Sequence, residues 1–312
     1  MDRRLPNLFI VGAPRCGTNF LYFSLRRHPE VFMAPTKEPH FFCRNRFLPA
    51  PQAAVADEAA YLSLFAGAAG ERWIGEASPS YLYEPSVPAA IRDFAEDPRI
   101  MVTVRHPADL MFSMYWLRSQ HALHRGIPYP ATFGAALAAA AAGAPSPDHQ
   151  PALSYRETAT LAGHVERYVA VFGRERVHVI VYDDLAAGPA AVRAGVCAFL
   201  GIDPAAPQTS AKGDRPAASE WVRSRALARW LWRPPETARR IARALLPAPM
   251  RDAVRGTLRR LNVGPPRRID PALRRRLSLE FEPEIRRLGT VIGRDLGHWL
   301  ADRPAPAPGG GR

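Results

Sequence analysis

Short apolar runs that each end in a turn and give way to helical spacing constrain this chain more than any other feature. Leu8 to Val11 (LFIV) closes on Gly12, and after Thr18 the apolar residues recur as Leu21, Tyr22 and Leu25. The pattern returns at Ile100 to Val104 (IMVTV), followed by Arg105, His106 and Pro107 and then by Leu110, Met111, Met114 and Leu117. Pro107 suits the first turn of a helix, where its missing N–H leaves no bond unmade. A third run, Val177 to Tyr182 (VHVIVY), precedes Asp183, Asp184 and a helical stretch from Pro189 to Leu200. Unbroken apolar runs of this length read as strands buried on both faces, and strands alternating with helices read as a parallel sheet. The expected fold is α/β, three layers about a central parallel sheet. Basic and apolar residues alternate over 234–262, as in Arg239, Ile241, Leu245, Met250, Val254 and Leu258, and Leu273 to Leu288 has amphipathic spacing. C-terminal helices packed beside the sheet are therefore expected.

At 312 residues, 47% of them hydrophobic, the chain can bury its core as one large domain, expected over residues 5–300. Residues 301–312 include the sequence PAPAPGGGR, which cannot build a core, and are expected to be a disordered tail. Residues 127–152, rich in Ala, Pro and Gly, read as a mobile excursion or lid rather than a separate domain. No run approaches the roughly 18 consecutive apolar residues of a membrane span, and Met1 to Leu8 lacks the apolar stretch of a secretory signal. A cytoplasmic location is the expectation. Cys16, Cys43 and Cys197 lie far apart with no CxxC spacing, which supports neither a disulfide framework nor a zinc site; no metal is expected.

The net charge of +13 is uneven. Residues 213–312 hold 22 of the 42 Lys and Arg against 10 of the 29 Asp and Glu, so +12 lies there. Such a region can meet nucleic acid, an anionic membrane surface or an acidic substrate. With only two lysines, Lys37 and Lys212, the arginine bias reflects genome composition as much as selected charge. No nucleic-acid partner is expected, while peripheral membrane contact through the basic C-terminal helices stays open.

Gly12-Ala13-Pro14-Arg15-Cys16-Gly17-Thr18-Asn19 joins the first strand to the first helix and aims backbone N–H groups and a helix N-terminus at one point. Phosphate or sulfate is attracted to such a point. The glycine spacing is that of a Walker A loop, which makes the fold P-loop-like, but Thr18 stands where the Walker lysine belongs. Arg15 places the cation inside the loop instead. The run LFIVGAPRCGTNFL (residues 8–21) resembles the 5′-phosphosulfate-binding loop of sulfotransferases, with a Lys or Arg two residues before a Gly-Thr pair. That resemblance implies that Arg15, Cys16, Gly17, Thr18 and Asn19 hold the 5′ end of 3′-phosphoadenosine 5′-phosphosulfate (PAPS). It further implies that Arg15 stabilises charge on the bridging oxygen as the sulfuryl group leaves. Asn19 departs from the family's usual Ser or Thr.

RIMVTVRHPADLMFSMYW (residues 99–116) resembles the same family's 3′-phosphate motif, a strand-Arg-x-Pro with a Ser eight residues after the Arg, which implies that Arg105 and Ser113 bind the 3′-phosphate. An arginine fork suits phosphate oxygens. Pro35-Thr36-Lys37-Glu38-Pro39-His40-Phe41-Phe42 gathers ionisable groups before an aromatic pair. It is either a surface pair beside a packed histidine or the source of a base for a hydroxyl acceptor. The segment resembles the Lys-Glu-x-His-Phe-Phe stretch of heparan-type and many bacterial sulfotransferases, which implies that Glu38 is the base with His40 in support. Cys43 and Ala77 depart from the heparan enzymes, so polysaccharide specificity is not implied. Gly75-Glu76-Ala77-Ser78-Pro79-Ser80-Tyr81 is either a strand end and turn or a wall of the acceptor pocket through Ser80 or Tyr81. Lys212-Gly213 lies where many members close a loop over the nucleotide, and residues 288–300 are expected to pack Leu296 and Trp299 as core.

The expected function is in-line sulfuryl transfer from PAPS to a hydroxyl or amine of a small-molecule, lipid or saccharide acceptor, whose pocket would be built from loops such as 43–70 and 120–155. Two alternatives remain. A P-loop kinase-like phosphoryl transferase would need Asp183 or Asp184 as Mg²⁺ ligands. A nonenzymatic binder would use the Arg-rich C-terminal third on nucleic acid or another anionic surface.

Overall fold

Strand β1 (Leu8–Gly12) is buried at every residue, as an unbroken apolar run in the middle of a covered sheet must be. Four further strands join it: β2 (Val31–Met33), β3 (Trp73–Ala77), β4 (Arg99–Val104) and β5 (Val177–Val181). All pairings are parallel, in the order β2-β3-β1-β4-β5. The computed structural model describes residues 5–43, 55, 57–144, 153–206, 221–232, 234–245, 247–264 and 268–301. Helices α1 (Thr18–Arg26), α2 (Glu58–Ser63), α3 (Val87–Phe94), α4 (Pro107–Arg125), α5 (Phe133–Ala141), α6 (Tyr155–Ala159) and α7 (Ala162–Phe172) fall between or beside the first four strands and β5. After β5 come α8 (Tyr182–Ala187), α9 (Pro189–Leu200), α10 (Arg225–Trp232), α11 (Glu236–Leu245), α12 (Ala248–Leu261), α13 (Pro271–Glu280) and α14 (Glu282–Ile292).

Alternate residues of the strands face different helical layers. Phe9, Val11, Ile100, Val102 and Val104 pack with residues of α3, α4, α7 and α14 on one side. Leu8, Ile10, Met101 and Ile180 pack with Leu21, Tyr22 and Leu25 of α1 and Val196, Cys197 and Leu200 of α9 on the other. The three-layer α/β fold with appended C-terminal helices is thus present. Leu296 and Trp299, each 2% exposed, close the first of these cores as expected. Among the described residues, no helix is long and apolar enough to cross a membrane.

Four local expectations change. The strand expected over Val177 to Tyr182 stops at Val181, and Tyr182 opens α8 with Asp183 and Asp184 in its first turn. The spacing over 273–288 divides into α13 and α14 at Phe281, because Pro283 in the first turn of α14 cannot donate to a continuing helix. Within 127–144, the Ala-rich stretch is a packed helix. Thr132 caps α5 by accepting from Ala135 N–H at 3.2 Å, Phe133, Ala136 and Leu137 are buried, and Tyr115 donates to the carbonyls of Pro130 (3.1 Å) and Ala131 (2.9 Å). The remainder of that excursion, 145–152, lies outside the described residues, as do Lys212, Gly213 and the tail from 302. Finally, β2, with only three residues, was not legible as a strand, and of β3 only the end was read, as one of two readings of 75–81; the strand runs from Trp73 and stops at Ala77.

Gly12 ends β1 at φ 151°, where Thr103 Oγ1 donates to its carbonyl at 3.0 Å and the Ala13 N–H donates to Thr103 O at 2.8 Å. A Cβ at Gly12 would stand 2.5 Å from Leu82 Cβ and 2.7 Å from the Pro79 carbonyl oxygen. Neither neighbour is the loose end of a side chain. Gly12→Ala is therefore expected to destabilise the protein by about 2–3 kcal/mol through overpacking and backbone strain, read as a lower urea midpoint at unchanged slope.

Candidate active site

The chain leaves β1 toward β2 and β3 on one side and later crosses to β4 on the other. In an open parallel sheet, this reversal opens a crevice beyond the carboxyl ends of the strands, here β1 and β4. The loop 12–18 emerges from β1 and the segment 105–113 from β4. Arg15 Nε donates to Ser113 Oγ at 3.0 Å, and Arg105 Nη1 donates to the Arg15 carbonyl at 3.0 Å. The two motifs, ninety residues apart, thus make one cationic cluster. The Arg105 guanidinium also lies over the Tyr182 ring, 4.3 Å from its centroid. Burial, and then the neighbouring Arg105 charge, lower the Arg15 pKa from its usual value. Like charges drawn together out of water are unfavourable, and an anion bound between them offsets that cost.

The same point receives the N-terminus of α1. Gly17 precedes the helix at φ 100° and supplies no side-chain cap; Phe20 N–H turns back to the Gly17 carbonyl at 2.9 Å, which leaves the Thr18 and Asn19 N–H groups at the helix mouth without an intrahelical acceptor. Thr18 is buried in the first turn, whereas Asn19 is exposed. Cys16 is fully buried, burial pushes its thiol up to about 12, and its N–H donates to the Ala13 carbonyl at 3.3 Å. The neutral thiol packs in the core cluster beneath the loop.

The segment 34–43 is attached to the end of β3, the other neighbour of β1. Ala34 N–H donates to Gly75 O at 2.8 Å and Glu38 N–H to Ala77 O at 3.0 Å. Glu38 Oε1 is 2.5 Å from Lys37 Nζ, and Glu38 Oε2 is 3.5 Å from His40 Nε2, an ion-pair distance too long for a good hydrogen bond. Burial would raise the Glu38 carboxyl, but the His40 ring and the Lys37 ammonium together outweigh it and bring it down to about 2. His40 is 2% exposed, with Nδ1 bonded to Ser80 Oγ at 2.8 Å. Arg15 (φ 66°), Glu38 (φ 63°) and His40 (φ 54°) are three of the four non-glycine residues with positive φ among the described residues. Backbone strain of this kind collects at functional sites.

One anchor of the site was missed in the sequence. Glu76, inside β3 and fully buried, accepts from Ser78 Oγ (2.6 Å), Tyr61 OH (2.8 Å) and Tyr81 OH (2.9 Å). Ser78 Oγ in turn accepts the His40 N–H at 3.1 Å, and Tyr81 OH accepts the Phe42 N–H at 3.2 Å. A single carboxyl, its pKa raised by burial, therefore fixes the backbone on both sides of Phe41. Tyr81 is consequently turned into the core rather than toward an acceptor, and Ser80 serves His40. A glutamate in the middle of an apolar strand was the signal available, since a buried carboxyl requires partners.

Taken together, the fold places two arginines and a helix N-terminus at a switch point of an open α/β sheet, an arrangement suited to an anionic ligand. The model of the sulfotransferase family matches residues 6–206, and the chain belongs to that family. It is 53% identical over 45 residues to carbohydrate sulfotransferase 15 of Homo sapiens, covering 14% of this chain and 8% of that protein. It is 35% identical over 115 residues to human heparan sulfate glucosamine 3-O-sulfotransferase 6, covering 36% and 30%. The chain thus spans less than a third of the length of either relative. The crystal structure of a sulfotransferase from Alicyclobacillus acidocaldarius matches 96% of this chain and 100% of its own, with TM-score 0.67 and 29% identity.

Truncation of the anchor separates its role from that of a surface charge. Glu76→Ala leaves three buried hydroxyls short of an acceptor and is expected to cost about 3 kcal/mol of stability, whereas Glu76→Gln, which keeps an acceptor, costs about 1 kcal/mol. Denaturant unfolding of both variants measures the difference.

Proposed function

We propose that this chain transfers a sulfuryl group from PAPS to a hydroxyl or amine of an acceptor by direct in-line displacement. The observation that carries this reading is the cluster in which Arg15 Nε donates to Ser113 Oγ and Arg105 donates to the Arg15 carbonyl, at the N-terminus of α1. Its donors, two guanidinium groups, two hydroxyls and free-ended helix amides, fit a ligand with phosphate or sulfate at two places. Arg15, Gly17 and Thr18 would hold the 5′ end, with Arg105 and Ser113 on the 3′-phosphate and Asn19 at the rim. Bound there, PAPS supplies the activated sulfuryl group. The protein's share is orientation, charge stabilisation and proton removal.

Glu38 is ionised at neutral pH and can accept the acceptor's proton, but at about 2 it is a weak base while Lys37 holds it. An anion that draws the Lys37 ammonium away raises the Glu38 pKa and strengthens it as a base, while the His40 ring continues to lower it. His40, fixed through Ser80, stands beside it as the second proton carrier. The phosphoryl-transfer alternative loses its metal ligands: Asp184 is paired with Arg294, and Asp183 Oδ2 accepts from Trp299 Nε1 at 2.7 Å. Lys212 and Gly213 stay part of the proposed nucleotide site by resemblance only.

Calorimetric titration with adenosine 3′,5′-bisphosphate, ATP and 5′-AMP tests the reading. Binding that requires the 3′-phosphate is expected, and no preference over ATP would overturn it. Arg105→Ala is expected to weaken that binding roughly tenfold to a hundredfold, the loss of charge-assisted bonds to phosphate. Glu38→Gln should bind the nucleotide normally and lose about 10²- to 10⁴-fold in turnover.

The Lys37–Glu38 pair also fixes a pH dependence. The folded pKa of Glu38 lies below its usual value, so its active ionised form persists as pH falls until about 2. Lys37→Met removes the ammonium and raises that pKa, so the acid limb of the rate profile should move to higher pH and become visible below about pH 5. Superimposable profiles for the two proteins would remove Lys37 from the role.

A further inference from the structure

Helices α10 and α12 belong to a unit closed at its base by a short antiparallel pair, β6 (Trp221–Val222) with β7 (Val263–Gly264). Asn262 completes the closure: its Oδ1 accepts the Ser224 N–H at 2.8 Å and its Nδ2 donates to Ser224 O at 2.9 Å. The unit sits on α4 through α10, where Ala228 is buried with Trp116 and Trp232 packs against them. Its other side is unusual for a protein surface. Six large apolar side chains are exposed among the described residues, and five of them belong here: Trp230 at 46%, Met250 at 53%, Val254 at 48%, Leu261 at 66% and Val263 at 37%. On α12, Met250, Val254 and Leu261 are four and seven residues apart, so they share one helical face.

Charge lies beside that face: at about 100° per residue, Arg251 and Arg260 flank the apolar stripe of α12, Arg255 stands farther round and Arg259 nearly opposite. Residues 221–264 carry eleven arginines against two acidic residues, Glu236 and Asp252. Arg255, Arg259 and Arg260 are exposed along α12 itself. A polyanion such as nucleic acid would use the arginines and leave the apolar face wet. A second copy of the chain would cover the apolar face but set one dense positive field against another. An anionic lipid surface satisfies both, because headgroups meet the arginines while apolar side chains enter the acyl boundary. We propose that α12, together with exposed Trp230 of the contacting helix α10, is an interfacial anchor that lays this protein on membranes containing anionic lipid. At 14 residues the helix is about 21 Å long, lies flat and does not span.

Co-sedimentation of the full chain with vesicles tests this. Vesicles of phosphatidylcholine carrying about 30% phosphatidylglycerol should bind it and pure phosphatidylcholine should not. The bound fraction should fall sharply near 0.5 M salt, where the screening length is only about 4 Å. The triple variant Met250→Ser, Val254→Ser, Leu261→Ser should partition about tenfold less while retaining heparin affinity and adenosine 3′,5′-bisphosphate binding. Should that variant misfold, Arg251→Gln, Arg255→Gln, Arg260→Gln keeps the apolar face intact and is expected to lose about tenfold or more from charge alone. Failure of the wild type to bind anionic vesicles overturns the proposal. So does vesicle binding undiminished in the apolar variant, or a wild-type dimer that the apolar variant converts to monomer.

Discussion

A carboxyl group with no access to water has to be satisfied by the protein, and in this chain Glu76 makes that demand at the most consequential place. It sits in β3, next to β1, and its three hydroxyl partners come from α2, the turn after β3 and the 3-10 helix Pro79–Tyr83. Two of those hydroxyls are then oriented to receive the N–H groups of His40 and Phe42. The loop bearing Glu38 is consequently held by the same network that terminates β3. Fully satisfied buried networks specify one arrangement because every partial alternative strands a polar atom in low dielectric.

The two halves of the site are built on opposite principles. Around Glu38, charges are balanced locally: the carboxylate is flanked by Lys37 and His40 and needs no ligand to be stable. Around Arg15, two guanidinium groups are brought together and the helix N-terminus adds its dipole. That half is stabilised by whatever anion enters. The left-handed backbone at Arg15, Glu38 and His40 shows that both halves depend on surrounding packing to hold residues where an unconstrained chain would not leave them.

How much of this was legible in the sequence follows from how local each feature is. β1, β4, the loop between Gly12 and Thr18, and the Arg105–Ser113 spacing are contiguous patterns, and the structure joins them as a cluster. Of β3 only the end was legible, because Gly75 and Glu76 are poor strand formers and the close approach of Met33 and Leu8 that suits a glycine there is set by other strands. Glu76 was invisible as an anchor since its partners at 61, 78 and 81 become partners only on folding. Tyr182 was assigned to a strand by its apolar neighbours, yet it begins a helix and lies under Arg105. The Ala-rich stretch in 127–144 looked mobile from composition, but one phenylalanine, one leucine and a threonine cap are enough to seat it.

Residues far along the chain buttress the second cation from both sides. His106, adjacent to Arg105, bonds through Nε2 to the Trp299 carbonyl, 193 positions later, and Asp183, adjacent to the ring beneath Arg105, accepts from the same tryptophan. A nascent chain emerging from the ribosome can pair β1 with β4 early, but the arginine site lacks its final support until Trp299 has been made. The proposed nucleotide affinity should therefore arrive late in synthesis, after the sheet itself has formed.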